Sequence, residues 1–294
     1  MGKLKDFYEK RYKFILAIPM VILAFSIIFL INFYSEHNDI VEKDVSLKGG
    51  ISATLYPDIE IDIEELETVL KNDIGSDFFV RSLGGIEGSR NGFLVETSEI
   101  DIETLENSLE NNFQINLNDD NFFVEQTGSR LGQDFYKQMI RALIIAFVLM
   151  SVVVLITFRS LIPSLAVILS ALFDIVVTIV VIDIIGIRIS SAGIAALLLL
   201  VGYSIDTDIL LTTRILKMRG EGEQWERLVG AVKTGLTMTV TSMAAVLVAF
   251  LFSISLVLKQ MFLIIFIGLI ADIVATYMMN AEILTLYMKR KYNE

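Results

Sequence analysis

The chain has 294 residues with a net charge of −11 at pH 7, and 54% of its residues are hydrophobic. An apolar share this far above the roughly 45 to 50% of soluble domains excludes an ordinary water-soluble protein. The sequence has no cysteine, which excludes disulfides and thiolate chemistry, and its single histidine, His37, cannot build a usual zinc site. We therefore expect a membrane protein with no metal and no cofactor.

Six long apolar stretches predict transmembrane helices. A helix needs about 20 residues to cross a hydrocarbon core of about 30 Å, and each stretch has close to that length with few charges. The predicted spans are Phe14 to Phe33, Ala142 to Phe158, Leu161 to Ile185, Ser190 to Leu211, Leu236 to Leu256, and Met261 to Leu286. An even number of spans places both termini on one side of the membrane.

Basic residues near these spans set the expected orientation. They cluster before the first span, in the loop 212–233 between the fourth and fifth spans, and after the sixth span. The positive-inside rule assigns all three clusters, and with them both termini, to the cytoplasm of a multi-pass cell-membrane protein. Residues 35–134 then form an extracellular domain between residues 1–34 and a five-helix region, 135–294. This domain has 23 acidic and 6 basic residues, which excludes a nucleic-acid binder.

An internal repeat in the domain 35–134 predicts two helices. The segment from Ile61 to Leu66 recurs 39 residues later from Ile100 to Leu105, and Asp62 is the expected N-cap of the first copy. Strand-like segments flank both helices, at Ile51 to Leu55, Phe78 to Leu83, Gly92 to Thr97 and Phe122 to Gln126, with Gly84, Gly85 and Gly88 in the central turn. The order strand, helix, strand, strand, helix, strand predicts an α+β ferredoxin-like (βαββαβ) domain.

Two acids, Asp206 and Asp208, interrupt the fourth span. Insertion scales assign roughly 2.5 to 3.5 kcal/mol to an ionised Asp at the centre of a membrane helix, so each acid needs a partner, water or a proton. Because successive residues turn by about 100°, the two side chains point about 200° apart. We expect Asp206 to face the bundle interior, since Gly202 one turn earlier leaves room for another helix, and Asp208 to lie at the interface near Arg214.

Other polar residues of the spans are further candidates for a proton relay. Thr237 and Thr241 share one face of the fifth span, where they can bond either a proton-exchanging acid or their own backbone. Asp174 lies near the middle of the third span and Asp272 near the middle of the sixth. Asp183 is close to the end of the third span, where solvation is expected.

Three short motifs occur in the order found in a known family. They are VSLKGGI from Val45 to Ile51, TGSRLGQDF from Thr127 to Phe135, and GYSIDTDILLTTRI from Gly202 to Ile215. Together with the six spans and the domain after the first, they resemble the SecD and SecF protein-export family, and its SecF branch in particular. Aligned without gaps, the acid of bacterial SecF falls on Thr207 and its fifth-span basic residue on Met238, so the pattern is more similar to the archaeal branch.

The resemblance implies partners and a mechanism. SecF proteins pair with SecD in a pseudo-symmetric assembly beside the SecYE translocation channel, and use the proton gradient to assist export. A heterodimer with a SecD-like subunit, contact with a SecYE-type channel and a translocating polypeptide, and no enzymatic activity are therefore expected. The candidate relay residues are Asp206, Asp208, Thr207, Thr237, Thr241 and Asp174.

Two other functions compete with protein export. Resistance-nodulation-division transporters carry a similar fourth-helix signature, so a half-transporter that exports small molecules or lipids is the main alternative. Copurification with translocon subunits, rather than loss of drug efflux, separates the two. An intramembrane aspartyl protease also uses two membrane acids, but the sequence lacks a Gly-x-Gly-Asp motif paired with Tyr-Asp.

Overall fold

The computed structural model describes residues 2–57, 61–75, 78–83, 92–97, 100–118, 120–216, 224–253 and 255–292. The chain forms two compact units. The helical unit comprises Met1–Glu42 and Met139–Glu294, and the sheet unit comprises Lys43–Gln138. Gly84, Gly85 and Gly88, and residues 217–223 of the expected basic loop, lie outside the described residues.

The described residues form α-helices, β-strands and one π-helical turn. In order they are α1 (Gly2–His37), α2 (Val45–Lys48), β1 (Gly50–Leu55), α3 (Ile63–Ile74), β2 (Phe79–Leu83), β3 (Gly92–Thr97), α4 (Ile102–Phe113), β4 (Phe122–Thr127), α5 (Ser129–Phe158), α6 (Leu161–Ile185), α7 (Ser191–Leu216), α8 (Gln224–Phe252), α9 (Leu256–Val274), a π-helical turn (Ala275–Asn280) and α10 (Ala281–Tyr292).

Six helical segments among the described residues are long and apolar enough to cross a membrane, which confirms the predicted number. The sixth combines α9, the π-turn and α10 into one continuous segment, Val257–Lys291. The fifth membrane-crossing helix, α8, ends at Phe252, four residues before the predicted end at Leu256. The reason is local: the Ser255 side chain accepts a hydrogen bond from Leu258 N at 3.5 Å and caps the start of α9.

The sheet unit contains one four-stranded antiparallel sheet in the order β2-β3-β1-β4. Alternate residues of β1, Ile51, Ala53 and Leu55, are fully buried, as their spacing predicted. Leu66 and Leu70 of α3 pack into the same core. The Asp62 side chain accepts from Glu64 N at 2.9 Å, which confirms the predicted N-cap.

Two of the sequence motifs meet in the sheet unit. A Cβ atom on Gly132, at the start of α5, would lie 2.9 Å from Gly49 N and 3.1 Å from the Leu47 carbonyl oxygen. Gly49 itself has φ +86°, a conformation that favours glycine. The VSLKGGI and TGSRLGQDF segments are therefore in backbone contact, which only glycine at position 132 permits without displacement.

In the helical unit, α7 packs against α6, α8 and α9. The Leu200 side chain lies directly on Gly268 of α9, where an added Cβ would meet Leu200 Cδ1 at 2.6 Å. The segment after α1 is attached to the turn before α7, because Ile189 N donates to the Glu42 carbonyl oxygen at 2.6 Å. Arg188 Nε also lies 3.6 Å from Glu42 Oε2.

Candidate functional site

α7 has two chemically different faces. We define the outer face as Ala195, Leu199, Gly202 and Asp206, all exposed on this chain at spacings of three and four residues. The inner face consists of Ser204, Thr207 and Asp208, which are at most 1% exposed. The outer face therefore presents one acid on an apolar strip, whereas the inner face turns an acid and two hydroxyls into the bundle.

The expected orientation of the two α7 acids is wrong. Asp206 is exposed, and Asp208 is fully buried rather than placed at an interface near Arg214. The two side chains do point to opposite sides, as the helical geometry predicted. The error came from Gly202: a Cβ added there would meet no atom within 4 Å, because the close helix approach is made at Gly268 instead.

Three buried acids from three helices form what we call the acid cluster: Asp174 of α6, Asp208 of α7 and Asp272 of α9. Each is at most 1% exposed. In Asp208, one carboxyl oxygen, Oδ1, accepts from Asn280 Nδ2 at 2.7 Å, Thr276 Oγ1 at 3.0 Å and Ser170 Oγ at 3.2 Å. Asp208 is thus bonded from α6 and from the π-turn together.

The other two acids are bonded by hydroxyls. Thr207 Oγ1 lies 3.1 Å from Asp272 Oδ1 and 3.3 Å from Oδ2, and Thr276 Oγ1 lies 3.1 Å from Oδ1. Ser204 Oγ donates to Asp174 Oδ2. Each acid of the cluster therefore has neutral hydroxyl or amide partners, and Thr276 touches two of the acids at once.

The π-turn positions two of these partners. In an α-helix, residues four apart drift by about 40° around the axis, so Asp272, Thr276 and Asn280 would spread over about 80°. A π-turn bonds residue i to i+5 and advances each residue by a smaller angle, which cancels part of this drift. Thr276 and Asn280 can therefore both reach Asp208, and both are fully buried.

The structure separates the other predicted relay residues from the acid cluster. Thr237 and Thr241 are exposed on α8 and donate to carbonyl oxygens of their own helix, at Lys233 and Thr237. Met238, at the position of the bacterial basic residue, is 40% exposed. Thr207 and Asp174, in contrast, are brought together with Asp208 and Asp272.

Sequence reasoning missed four residues of the site: Ser170, Ser204, Thr276 and Asn280. Each stands four residues from a cluster acid or from another of the four, as in Ser170 and Asp174, Ser204 and Asp208, or Asp272 and Thr276. Polar residues four apart in an apolar helix share one face. This four-residue spacing of polar side chains could have identified the buried faces from the sequence, whereas the position of Gly202 could not.

The described residues contain no group of three or more His, Asp or Glu side chains arranged to hold a metal ion. Within the acid cluster, the Thr276 hydroxyl links Asp208 and Asp272. Such an arrangement can exchange protons, because every link is a group that both donates and accepts a hydrogen bond.

Comparisons with known proteins point to one family. The family model described as Protein export membrane protein SecD/SecF, C-terminal, matches residues 105–290. The protein-export membrane protein SecF of Methanolacinia petrolearia is 35% identical over 300 residues, covering 99% of this chain and 99% of that protein. The SecF protein of Methanocaldococcus jannaschii is 34% identical over 285 residues, covering 95% of this chain and 96% of that protein.

A solved structure shares the fold. The crystal structure of SecDF, a translocon-associated membrane protein from Thermus thermophilus, superposes with a TM-score of 0.75 at 18% sequence identity. The match covers 96% of this chain and 38% of the SecDF chain. This chain thus spans about two fifths of the length of that protein.

Proposed function

Because this chain belongs to the SecF family of protein-export membrane proteins, we propose that it assists polypeptide translocation across the cell membrane and couples that work to the proton gradient. The observation that carries the proposal is the pair of acids on α7, one buried and one exposed, within a helix otherwise suited to lipid. The small-molecule half-transporter has no comparable support.

A SecD-like subunit is the proposed partner at the outer face of α7. An ionised Asp206 that faces hydrocarbon would cost roughly 2.5 to 3.5 kcal/mol near a helix centre. A subunit that covers this side chain therefore stabilises the complex of the two subunits. Gly202 is exposed on the same face and allows a second helix to approach closely. Asp206 would then belong to a heterodimer interface.

The proton gradient can act on the relay residue at the partner interface or on the relay residues in the interior of this chain. Moving one charge through 100 mV is worth roughly 2.3 kcal/mol, which biases a conformational equilibrium nearly fiftyfold. We assign Asp206 to the interface with the partner, and Asp208, Thr207 and Asp174 to the interior of this chain. Thr237 and Thr241 remain candidates only on the exposed side of α8.

The sheet unit is proposed to be a ferredoxin-like domain on the extracellular side, where it meets the translocating polypeptide. Its antiparallel strand order, with β1 and β3 central, supports that fold assignment. The basic clusters support cytoplasmic termini and a cytoplasmic loop 212–233. We further propose association with a SecYE-type channel and no enzymatic activity of the chain itself.

Complementation tests the function directly. A host that lacks its own SecF homologue should regain export of a secreted reporter when this chain is expressed with its SecD-like partner. Restored drug or lipid efflux without restored export would contradict the proposal and favour the half-transporter.

Crosslinking tests the partner interface. Because the chain has no cysteine, a single introduced thiol is unambiguous. Leu199→Cys, on the outer face and 60% exposed, should crosslink to the SecD-like subunit. Leu197→Cys is the matched control, since Leu197 is two residues away but only 2% exposed. Equal crosslinking at the two positions would contradict the proposed interface.

A further inference from the structure

Polar contacts at one end of the helical unit join the junction between α5 and α6 to the last helix, α10. Ser160 Oγ lies 2.9 Å from Tyr287 Oη, and Lys291 Nζ donates to the same Tyr287 oxygen at 2.7 Å. Lys291 Nζ also lies 5.1 Å from the centroid of the Tyr287 ring. Lys291 is exposed, and the two hydroxyl residues are half-buried. Two hydroxyls and an ammonium group are thus held together at the surface of the bundle.

The Ser160 side chain serves α10 and not its own helix. Ser160 is the N-cap residue of α6, a position at which serine commonly accepts a hydrogen bond from the first turn. Its side chain makes no such bond. The Tyr287 ring packs against the apolar cluster that contains Leu228 and Leu284. The ring therefore gives the contact between the two hydroxyls a fixed position.

Arg159, directly before Ser160, adds a second cation to this place. Its backbone has φ +48°, a left-handed conformation that glycine or asparagine usually occupies at the end of a helix. The side chain is exposed, and it is the only charged one between Arg141 and Asp174 in the sequence. Because the backbone favours glycine here, the presence of arginine indicates that the guanidinium has a role of its own.

Further positive charge and exposed apolar side chains surround these residues. The last turn of α10 has three basic residues and no acid: Lys289, Arg290 and Lys291. Leu161 and Ile162 follow Ser160 along α6, and Ile156 lies one turn before it on α5. All three are exposed on the helical unit. Hydrogen-bond donors, cations and an apolar surface therefore lie side by side.

This combination matches the chemistry of an anionic lipid. Guanidinium and ammonium groups bind phosphate oxygens through charge-assisted hydrogen bonds. A free phosphate ion would use those groups alone, whereas the exposed apolar side chains beside them suit acyl chains. Basic sites between membrane helices on the cytoplasmic side of a membrane bind anionic headgroups in this way.

We propose that this end of the helical unit binds the phosphate group of an anionic lipid. The site consists of Arg159, Ser160, Tyr287 and Lys291. Arg159 and Lys291 supply the positive charge. Tyr287 holds the Lys291 ammonium group close to the Ser160 hydroxyl, so that one phosphate bridges the α5–α6 junction and α10. This site goes beyond the proposed function and does not depend on export.

Native mass spectrometry of the purified full chain tests the proposal. The chain is titrated in detergent with phosphatidylglycerol, which is anionic, or with phosphatidylcholine, which has a phosphate but no net charge. A basic residue close to an anionic headgroup strengthens binding by about fivefold. We expect the first phosphatidylglycerol to bind at least about fivefold more tightly than phosphatidylcholine.

Three variants test the individual residues of the site. Arg159→Gly removes the guanidinium, and glycine adopts the left-handed backbone without strain. This variant and Lys291→Gln should each weaken phosphatidylglycerol binding by about fivefold and leave phosphatidylcholine binding unchanged. Tyr287→Phe keeps the packed ring and removes the hydroxyl that positions Lys291, so binding should weaken by about threefold.

Lys233→Gln is the matched control for net charge. Lys233 is exposed on α8, and Leu228 and Ala231 of the same helix pack in the apolar cluster that Tyr287 contacts. The control therefore removes one positive charge near the same end of the unit but outside the site. It should change phosphatidylglycerol binding by less than about twofold.

Three outcomes would overturn the proposal. Equal affinity for the two lipids would exclude a site for anionic headgroups. A loss for Lys233→Gln as large as that for Lys291→Gln would mean that general charge, and not this site, attracts the lipid. Displacement of the lipid by an equal concentration of inorganic phosphate would mean that the site takes a free anion. Complementation can still succeed after each of these, so failure here is distinguishable from failure of the proposed function.

Discussion

The two units of this chain treat acidic side chains in opposite ways. Among the described residues, the sheet unit buries a single acid, Glu96, and its core cluster is built from apolar side chains. The helical unit buries four acids, Asp174, Asp208, Asp272 and Glu282, while much of its surface is apolar. The interior of one unit thus resembles the exterior of the other.

The solvent explains this difference. In water, an apolar side chain gains free energy by burial and a charge loses it, so the sheet unit keeps its acids outside. In lipid, the surroundings offer no hydrogen bonds, and an acid is better placed among hydroxyls inside the bundle. Asp206 breaks this rule for the helical unit, which is why we place it against a partner.

Loss of apolar volume in the sheet unit should give the largest effect on stability. Leu70 is fully buried in the core, so Leu70→Ala should lower the free energy of unfolding of this unit by about 3 kcal/mol. Pulse proteolysis in urea measures the change on the full chain. Val69→Ala, next to it on α3 but only partly buried, should cost clearly less. Equal costs would mean that the core is not centred on Leu70.

Burial of the Asp44 carboxyl should make the stability of the sheet unit depend on pH. Burial raises the pKa of the Asp44 carboxyl from 3.8 to about 6, with a smaller contribution from the nearby charge of Glu125, although hydrogen bonds from Ser46 oppose the rise. The folded unit therefore binds this proton more tightly than the unfolded chain. The contribution of Asp44 to the stability of the unit should be largest below about pH 4 and be lost as the pH rises through about 6.

Asp44→Asn should remove that loss. The amide keeps the bond from Ser46 N, at 2.9 Å in the native protein, but cannot ionise. We expect the variant to be more stable than wild type by about 2 kcal/mol at pH 7 and equally stable at pH 4. Hydrogen exchange of β1 amides, corrected for intrinsic rates, measures this. Asp62→Asn controls for charge at an exposed N-cap, and a gain at pH 4 as large as at pH 7 would contradict the pKa argument.

In the helical unit, loss of a buried hydroxyl should lower stability more than loss of an exposed hydroxyl. The effect should be smaller than those expected in the sheet unit. Thr207→Val removes a buried partner of Asp272 and should lower stability by about 1 to 2 kcal/mol. Thr237→Val removes only a bond to its own helix on an exposed face, and should stay within about 0.5 kcal/mol. Thermal unfolding in detergent compares them. A larger loss for Thr237→Val would contradict the contrast between buried and exposed hydroxyls.

Local signals in the sequence predicted much of the architecture. The alternation in β1, the N-cap at Asp62 and the six apolar stretches depend on neighbouring residues alone, and the structure confirms them. The end of α8 was misplaced because Ser255 caps the next helix, a signal that hydropathy does not contain. Boundaries set by a cap need the cap to be recognised.

The faces of α7 could not be predicted in the same way. Helical geometry separates Asp206 from Asp208, but the side that is buried depends on α6 and α9, which lie far away in the sequence. Gly202 suggested the wrong side, since the close contact uses Gly268. The π-turn could not be predicted from hydropathy either, because apolar residues continue across it. Only the spacing of Asp272, Thr276 and Asn280 indicates its position.

Gradient-dependent export by the Asp206→Asn variant tests the central claim most directly. Vesicles with wild-type or variant chain, both assembled with the SecD-like subunit, would be given an imposed proton gradient and a secretory polypeptide. We expect the variant to assemble and to export at the rate that wild type shows without a gradient, while Asp120→Asn responds fully. Wild-type export rates in Asp206→Asn vesicles under the gradient would contradict the proposed coupling.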